Sequence, residues 1–212
     1  MPPFEDLLAR LIVVLLGIPI HEWAHGYAAY LMGDTTPERE GRLSLNPLTH
    51  LDPIGTIMIL LTGFGWGRAA RVNPYQMRKV PNPRTAMALS ALAGPASNVV
   101  QMIFFLILRY AIIALWGSNT PTMVIVIINL IIWTNMGLAL FNMLPIPPLD
   151  GSRVLAGVAS HRVADFIERL EPMAPYILIA VLFILPRFGI DLISMLISPI
   201  MRFFASLLGL WG

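Results

Sequence analysis

Two histidines and a glutamate near the start of the chain have the residue types and the spacing of a metal-dependent active site. His21 and His25 are four residues apart in the segment His21-Glu22-Trp23-Ala24-His25. On an α-helix both imidazoles therefore point the same way and can bind one cation, while Glu22 can reach a water on that cation. Neutral imidazoles suit Zn²⁺. The alternative is a pair of buried histidines that hydrogen bond to neighbouring carbonyl groups.

The composition indicates that this motif lies in a membrane protein. The chain is 57% hydrophobic and 12% charged with a mean hydropathy of +0.73, which is too apolar for an ordinary soluble domain. Ionisable groups at membrane depth are costly and usually mark function. There is no cysteine, so a metal must be bound by His, Asp or Glu. The net charge of +2 and the lack of a binding motif argue against nucleic acid as a partner.

The order of apolar segments predicts an all-α polytopic fold with a core of three transmembrane helices. These helices are expected at residues 5–33, 85–115 and 121–144, since each exceeds the roughly 20 residues needed to cross a bilayer. The first segment lacks the basic start and cleavage site of a signal peptide, so we expect it to be retained. Residues 54–66 are short and rich in glycine, which fits a re-entrant segment that either gates substrate or water or packs against lipid.

The C-terminal part is predicted to add further membrane-associated helices. Residues 152–171 have the mixed apolar and charged spacing of an interfacial helix, and residues 172–211 form either one bent span or two. No linker rich in Ser or Gly separates domains. We therefore interpret residues 1–212 as a single membrane-embedded domain, with its core at about 5–160 and its C-terminal membrane segment or segments at about 172–211.

Asp150 is the predicted third metal ligand. A catalytic zinc usually has three protein ligands and an open position for water. Asp150 is the only acidic residue between Asp52 and Asp165, and it follows Pro145, Pro147 and Pro148, which forbid regular helix and expose a carboxylate at depth. The alternative is that Asp150 caps the N-terminus of the next helix.

Topology and charge give an independent test of this assignment. The C-terminal half of the first helix can meet Asp150 only if an even number of crossings lies between them, and helices 85–115 and 121–144 supply two. This arrangement puts residues 34–84 and 151–171 on one side, together with 10 of the 14 Lys and Arg residues. Because positive residues favour the cytoplasmic side, the site is predicted to lie toward the cytoplasm.

Three motifs in this order resemble the site-2 protease family of intramembrane zinc metalloproteases. They are the His21–His25 motif and two further segments, Gly94-Pro95-Ala96-Ser97-Asn98 and Asn142-Met-Leu-Pro145-Ile-Pro147-Pro148-Leu149-Asp150-Gly151. The resemblance covers about residues 5–160. Residues 41–55 further resemble the compact bacterial and archaeal branch, without PDZ or CBS domains. The resemblance implies one Zn²⁺ per chain held by His21, His25 and Asp150, with Glu22 as catalytic base, and substrate contacts from Asn98 and Asn142.

The function implied by this resemblance is hydrolysis of peptide bonds within or near the transmembrane segments of single-span membrane proteins. The protein is then expected to be a multi-pass protein of a prokaryotic cell membrane. Two alternatives remain from the residues themselves: a membrane metal-ion transporter, or a non-catalytic metal-binding membrane protein. Asn98 has the alternative role of an interhelical hydrogen-bond donor, and Asn142 that of capping carbonyl groups near the prolines.

Two features of the first polar segment complete the predictions. Residues 42–47 are expected to include a short strand, and Leu43-Ser-Leu-Asn46 would pair with an unwound substrate by β-augmentation. The alternative is an ordinary loop. His50, beside Asp52, is either a structural histidine of this loop or a group close to the site.

Overall fold

The computed structural model describes residues 4–62 and 65–210, and within these ranges the chain is helical and has no β-strand. Four helical stretches in these ranges are long and apolar enough to cross a membrane: Phe4–Met32, Pro83–Trp116, Thr122–Asn142 and His161–Phe188. This confirms the predicted all-α polytopic class. In chain order the helices are Phe4–Met32 (α1), Pro53–Thr62 (α2), Pro83–Trp116 (α3), Thr122–Asn142 (α4), Asp150–Val158 (α5), His161–Phe188 (α6) and Leu192–Leu207 (α7).

Helix α1 carries the His21–His25 motif after a local change of pitch. Its first part widens into a π-turn at Val13–Gly17, and a regular α-helix resumes at Ile18. Pro19 accounts for this change, because it has no N–H and its ring clashes with the carbonyl four residues earlier. The helix ends at Gly33, whose φ of 111° is readily adopted only by glycine.

Helices α3 and α4 form the hairpin that brings Asp150 back to α1. Helix α3 begins where the side chain of Asn82 accepts a hydrogen bond from the backbone N–H of Arg84 at 2.9 Å. It has 34 residues, which at about 1.5 Å per residue give roughly 51 Å, enough to cross a hydrocarbon layer of about 30 Å. Helix α4 ends at Asn142, immediately before the proline-rich turn, and Asp150 begins α5.

The helices pack around α3, which contacts α1, α4 and α5. Helix α1 approaches α4 closely at Gly17, where a Cβ would lie 2.6 Å from the Cδ1 of Leu138. Clusters of buried apolar residues join the remaining elements. One joins Ile128 and Ile132 of α4 to Ala205 and Leu210 near the C-terminus. The close approach at Gly17 holds α1 beside α4, and the cluster holds α4 beside the C-terminal helix.

Helix α2 lies within the segment predicted to be re-entrant. It has only 10 residues, or about 15 Å, which is half of the hydrocarbon thickness. Ile59 packs against Val14 of α1, and the guanidinium of Arg10 donates a hydrogen bond to the carbonyl of Leu60 at 2.7 Å. Gly63 and Phe64, which belong to the same predicted segment, lie outside the described residues. A gating role for this segment stays a prediction.

The C-terminal third differs in its boundaries from the prediction. The interfacial helix expected over residues 152–171 is instead divided at Ala159 and Ser160, whose backbone is extended. Helix α6 begins at His161, passes through a 3₁₀ turn at Glu171–Met173 and continues to Phe188. Residues 172–207 therefore contain the second part of one long helix and the 16-residue helix α7, which is shorter than a full span.

The strand predicted within residues 42–47 is wrong, because the carbonyl groups of this segment are used within the loop and by α1. The indole N–H of Trp23 donates to the carbonyl of Leu43 at 3.1 Å, and the Nε2–H of His50 donates to the carbonyl of Ser44 at 2.8 Å. His50 is fully buried in this loop. Of the two roles considered for His50, the structure shows the structural one.

Candidate metal centre

The structure brings His21, His25 and Asp150 together at one point. The Nε2 atoms of the two histidines are 3.0 Å apart, and the Oδ2 of Asp150 lies 3.1 Å from that of His21 and 3.3 Å from that of His25. Both histidines come from α1 and Asp150 from the first residue of α5. The N-cap residue of α5 is Leu149, so Asp150 does not occupy the capping position considered for it, and its carboxylate faces the two histidines.

The outer nitrogen of each imidazole is held by a hydrogen-bond acceptor. The Nδ1–H of His25 donates to the backbone carbonyl of Ser90 at 2.7 Å, and the Nδ1–H of His21 donates to the Oδ1 of Asn98 at 2.7 Å. A neutral imidazole carries one proton, so both Nε2 atoms present lone pairs to the centre. The centre therefore contains two nitrogen lone pairs and a carboxylate oxygen, which are all electron donors.

This donor set fits a Zn²⁺ ion. Zinc ligands lie about 2.0–2.2 Å from the metal in a tetrahedral arrangement, so two ligand atoms are separated by about 3.3–3.6 Å. The observed separations of 3.0–3.3 Å are close to this edge length. In addition, the buried Oδ2 of Asp150 has no hydrogen-bond partner among the described residues. Three convergent donors without a shared proton are stabilised by a cation.

Glycines at two positions allow the backbone to approach this centre. A Cβ on Gly94 of α3 would lie 2.3 Å from the Nε2 of His25 and 2.7 Å from the Cε1 of His21. A Cβ on Gly151 would lie 2.2 Å from the carbonyl oxygen of Met143. Gly94 therefore lets α3 pack directly on the imidazoles, and Gly151 lets the turn fold back where Asp150 enters α5.

Glu22 and the three candidate ligands line one cavity of about 610 Å³. The Oε2 of Glu22 accepts a hydrogen bond from the backbone N–H of Ala70 at 3.1 Å. Ala70 belongs to an irregular segment, residues 67–72, which passes the cavity. The backbone N–H of Arg68 in this segment donates a hydrogen bond to the carbonyl of His50 in the preceding loop at 2.7 Å. A carboxylate is thus fixed beside the donor set at the edge of a space large enough for a peptide segment.

Comparison with known proteins identifies the family of proteins to which this chain belongs. The family model described as peptidase family M50 matches residues 111–185, a range that includes Asp150. The chain is also 37% identical over 191 residues to the protein named "Putative zinc metalloprotease YwhC" of Bacillus subtilis (strain 168), a match that covers 87% of this chain and 84% of that protein. The chain belongs to peptidase family M50, the site-2 protease family.

A second relative of this M50 peptidase is the protein named "Putative zinc metalloprotease Rip2" of Mycolicibacterium smegmatis, which is 28% identical over 151 residues. That match covers 65% of this chain and 52% of Rip2. No solved structure gives a significant match. The family membership confirms the predicted class, an intramembrane zinc metalloprotease, and selects it over the alternative of a metal transporter.

The two asparagines predicted to contact substrate lie in different surroundings in the M50 peptidase. Asn142 lines the cavity, and its Nδ2 donates to the carbonyl of Leu138 at 3.0 Å. Asn98 is fully buried behind His21 and does not belong to the cavity wall. Its Nδ2 donates to the carbonyl of Gly17 at 3.3 Å and to the Oδ1 of Asn135 at 2.9 Å. The structure thus shows the interhelical hydrogen bonds considered for Asn98, and a substrate contact stays a prediction.

Sequence reasoning missed several residues that build this site. Ser90 holds α3 to α1 in two ways, since its carbonyl accepts from His25 and its hydroxyl donates to the carbonyl of His25 at 3.1 Å. Asn135 accepts a hydrogen bond from Asn98. Arg153, one turn after Asp150, places its positively charged guanidinium group at the cavity wall. The cavity is also lined by side chains of α6: Pro175, Leu178, Ile179, Leu182 and Phe183. Backbone contacts and long-range pairs of this kind leave no periodic signal in the sequence.

Proposed function

We propose that His21, His25 and Asp150 hold one Zn²⁺ ion and that Glu22 is the general base of peptide-bond hydrolysis. The observation that carries this proposal is the convergence of the three donor atoms, within 3.0–3.3 Å of one another, at a cavity that Glu22 also lines. When bound, zinc supplies a Lewis acid that acidifies water and polarises a carbonyl group.

In the proposed reaction, Glu22 transfers the proton, and other residues of the cavity position Glu22 and the substrate. Glu22 accepts a proton from water as the water oxygen adds to the scissile carbonyl carbon, and it returns that proton to the amine nitrogen as the C–N bond breaks. The N–H of Ala70 holds the Oε2 of Glu22, which leaves the second carboxylate oxygen free for the proton. The amide of Asn142 at the cavity wall binds the substrate backbone or the developing oxyanion.

The charges of the proposed site suit a membrane interior. A divalent cation with the ionised carboxylates of Asp150 and Glu22 sums to zero, so the loaded centre carries no net charge before water ionises. The desolvation cost of buried charge is lowest for such a neutral set. With their Nδ1 protons donated to acceptors outside the centre, the two imidazoles would offer only Nε2 lone pairs to the cation and would add no charge to the set.

The proposed substrates are single-span membrane proteins of a prokaryotic cell membrane, cleaved within or near their transmembrane segments. A helical substrate hides its carbonyls in hydrogen bonds, so the cleaved segment must be extended inside the cavity. The orientation of the protein in the membrane is supported by charge. Arg84 at the start of α3 binds Asp165 and Glu168 of α6 at 2.5 and 2.8 Å, which joins the segments before α3 and after α5. These segments, residues 34–84 and 151–171, carry 10 of the 14 Lys and Arg residues and mark the end of the bundle next to Asp150. The positive-inside rule assigns this end to the cytoplasm.

The deciding experiment is metal analysis of the purified protein with a peptide-cleavage assay on the same preparations. Wild-type protein should contain one zinc per chain and cleave a transmembrane substrate. His21→Ala, His25→Ala and Asp150→Ala should each lose most of the zinc and all measurable cleavage. His161→Ala, which removes an exposed histidine outside the cavity, is the matched control and should keep both. Full zinc content in Asp150→Ala would refute the proposed ligand set.

A further inference from the structure

We propose that Asn135 is a positioning residue of the metal centre, which acts through Asn98 on His21. The proposal rests on the function assigned above and concerns a residue that the sequence motifs do not include. Asn135 lies near the middle of α4 and is fully buried, as is Asn98 on α3. Their amides meet at 2.9 Å, and Asn98 in turn contacts the Nδ1 of His21 at 2.7 Å.

The donor and acceptor of each hydrogen bond from Asn135 through Asn98 to His21 can be assigned, starting from the partner of Asn135 on its own helix. The Nδ2 of Asn135 lies 3.0 Å from the backbone carbonyl of Ile131, which can only accept a hydrogen bond. The Oδ1 of Asn135 must therefore face Asn98 and accept from its Nδ2. That orientation turns the Oδ1 of Asn98 toward His21, so that the Nδ1 of His21 carries the proton.

This orientation of the Asn98 amide determines which nitrogen of His21 is available to bind the metal. With its proton on Nδ1, a neutral His21 has its lone pair on Nε2, 3.1 Å from the Oδ2 of Asp150. If the amide of Asn98 were reversed, its Nδ2 would face His21, the proton would move to Nε2, and that nitrogen could not bind a cation. The carbonyl of Gly17 also accepts from Asn98 but at 3.3 Å, so Asn135 provides the shorter of the two contacts that set the amide.

The burial of Asn135 and Asn98 strengthens the control that their hydrogen bonds have over His21. Both asparagines lie between apolar helices, where an unpaired amide is costly and water does not compete for its hydrogen bonds. Residues that orient a metal-binding histidine from outside the ligand set typically change metal affinity by about 10- to 100-fold when they are replaced. Because Gly17 still holds Asn98 when Asn135 is removed, we expect the lower end of this range.

The test compares Asn135→Ala with Asn129→Ala in the full-length protein in detergent micelles. Asn129 lies on the same helix and is partly buried, but it has no hydrogen bond to Asn98, so it controls for loss of an amide from α4. Zinc affinity is measured by competition with a chelator, and the His21 tautomer by ¹⁵N NMR of the metal-free protein. Asn135→Ala should weaken zinc binding about tenfold and convert part of His21 to the Nε2–H tautomer. Asn129→Ala should change neither.

A double-mutant comparison separates positioning from general stability. Asn135 acts through Asn98, so Asn135→Ala should weaken zinc binding no further in an Asn98→Ala background. Equal affinities for Asn135→Ala and Asn129→Ala, or an undiminished effect without Asn98, would overturn the proposal. Should Asn135→Ala fold poorly, Asn135→Leu, which keeps a similar volume, gives the same comparison. Zinc loss in Asp150→Ala, measured in parallel, tests the ligand set itself, so the two proposals fail separately.

Discussion

Gly94 and His25 are so close that a Cβ at residue 94 would lie 2.3 Å from the Nε2 of His25. This is less than any ordinary contact of a Cβ, and the atom it would meet is the proposed metal-binding nitrogen. The close approach arises because the carbonyl of Ser90, one turn earlier on α3, already accepts from the other nitrogen of the same ring. At Gly94, helix α3 therefore forms one wall of the metal centre with its backbone.

Gly94→Ala should consequently damage the metal centre while leaving the membrane fold in place. The added methyl would push α3 away from α1 or rotate His25, and we expect at least a tenfold loss of zinc affinity and of kcat/KM. Gly137→Ala is the matched control, because a Cβ at that position in α4 meets nothing within 4 Å. Zinc titration and cleavage assays on both variants check the prediction. Normal zinc binding by Gly94→Ala would contradict the described packing.

Glu22→Gln should separate metal binding from catalysis. The amide keeps the size of the side chain and an oxygen to accept the N–H of Ala70, but it cannot take a proton from water. We expect full zinc content and a loss in kcat of about 10²–10⁴-fold, the usual contribution of a general base. Metal analysis and single-turnover cleavage measure the two quantities. Retained kcat would remove Glu22 from the mechanism.

Asn142→Ala should affect the substrate more than the metal. Its side chain lines the cavity and touches its own helix through Leu138 but has no contact with the three candidate ligands. A hydrogen bond from an oxyanion-stabilising donor typically contributes about 10²–10³-fold to kcat. We expect a loss of this order at unchanged zinc stoichiometry. Asn129→Ala, on the same helix but outside the cavity, serves as control, and an equal loss there would argue for a structural cause.

Ser90→Ala tests whether a backbone or a side-chain group holds His25. The hydroxyl of Ser90 donates to the carbonyl of His25, but the imidazole is held by the carbonyl of Ser90, which the substitution keeps. We expect a loss of about 1 kcal/mol in the free energy of unfolding, typical of one buried hydrogen bond, with zinc stoichiometry retained. Thermal denaturation and metal analysis are the measurements. Loss of zinc would show that the hydroxyl is needed to position the ring.

The chemistry of the centre could be predicted from sequence because it depends on strong local rules. The spacing of His21 and His25 fixes their common direction on a helix, and the prolines before Asp150 leave few places for that carboxylate. The parity of the crossings then required the two to lie at the same end of the bundle, and the structure places them 3.1–3.3 Å apart. Assignment of the roles of the individual residues stays a proposal.

What sequence could not supply was the packing of irregular and distant segments. The loop at residues 43–46 has the alternation of a strand, yet Trp23 and His50 occupy its carbonyls, and residues 67–72 lie along the cavity instead. The contact between Asn98 and Asn135 depends on how α3 and α4 are rotated about their axes, which apolar helices of nearly uniform hydrophobicity do not encode. The part of α6 that lines the cavity resembles any other lipid-facing segment.

The proposed ligands come from segments that are about 125 residues apart, so a shared ion would act as a cross-link between distant parts of the chain. Closing a loop of that size removes much of the conformational freedom of the unfolded chain. The proposed centre would then be complete only in the folded chain. A copy in which α5 has detached from α1 would keep Glu22 but would lack a complete ligand set, so the proposed activity would depend on these two segments being docked.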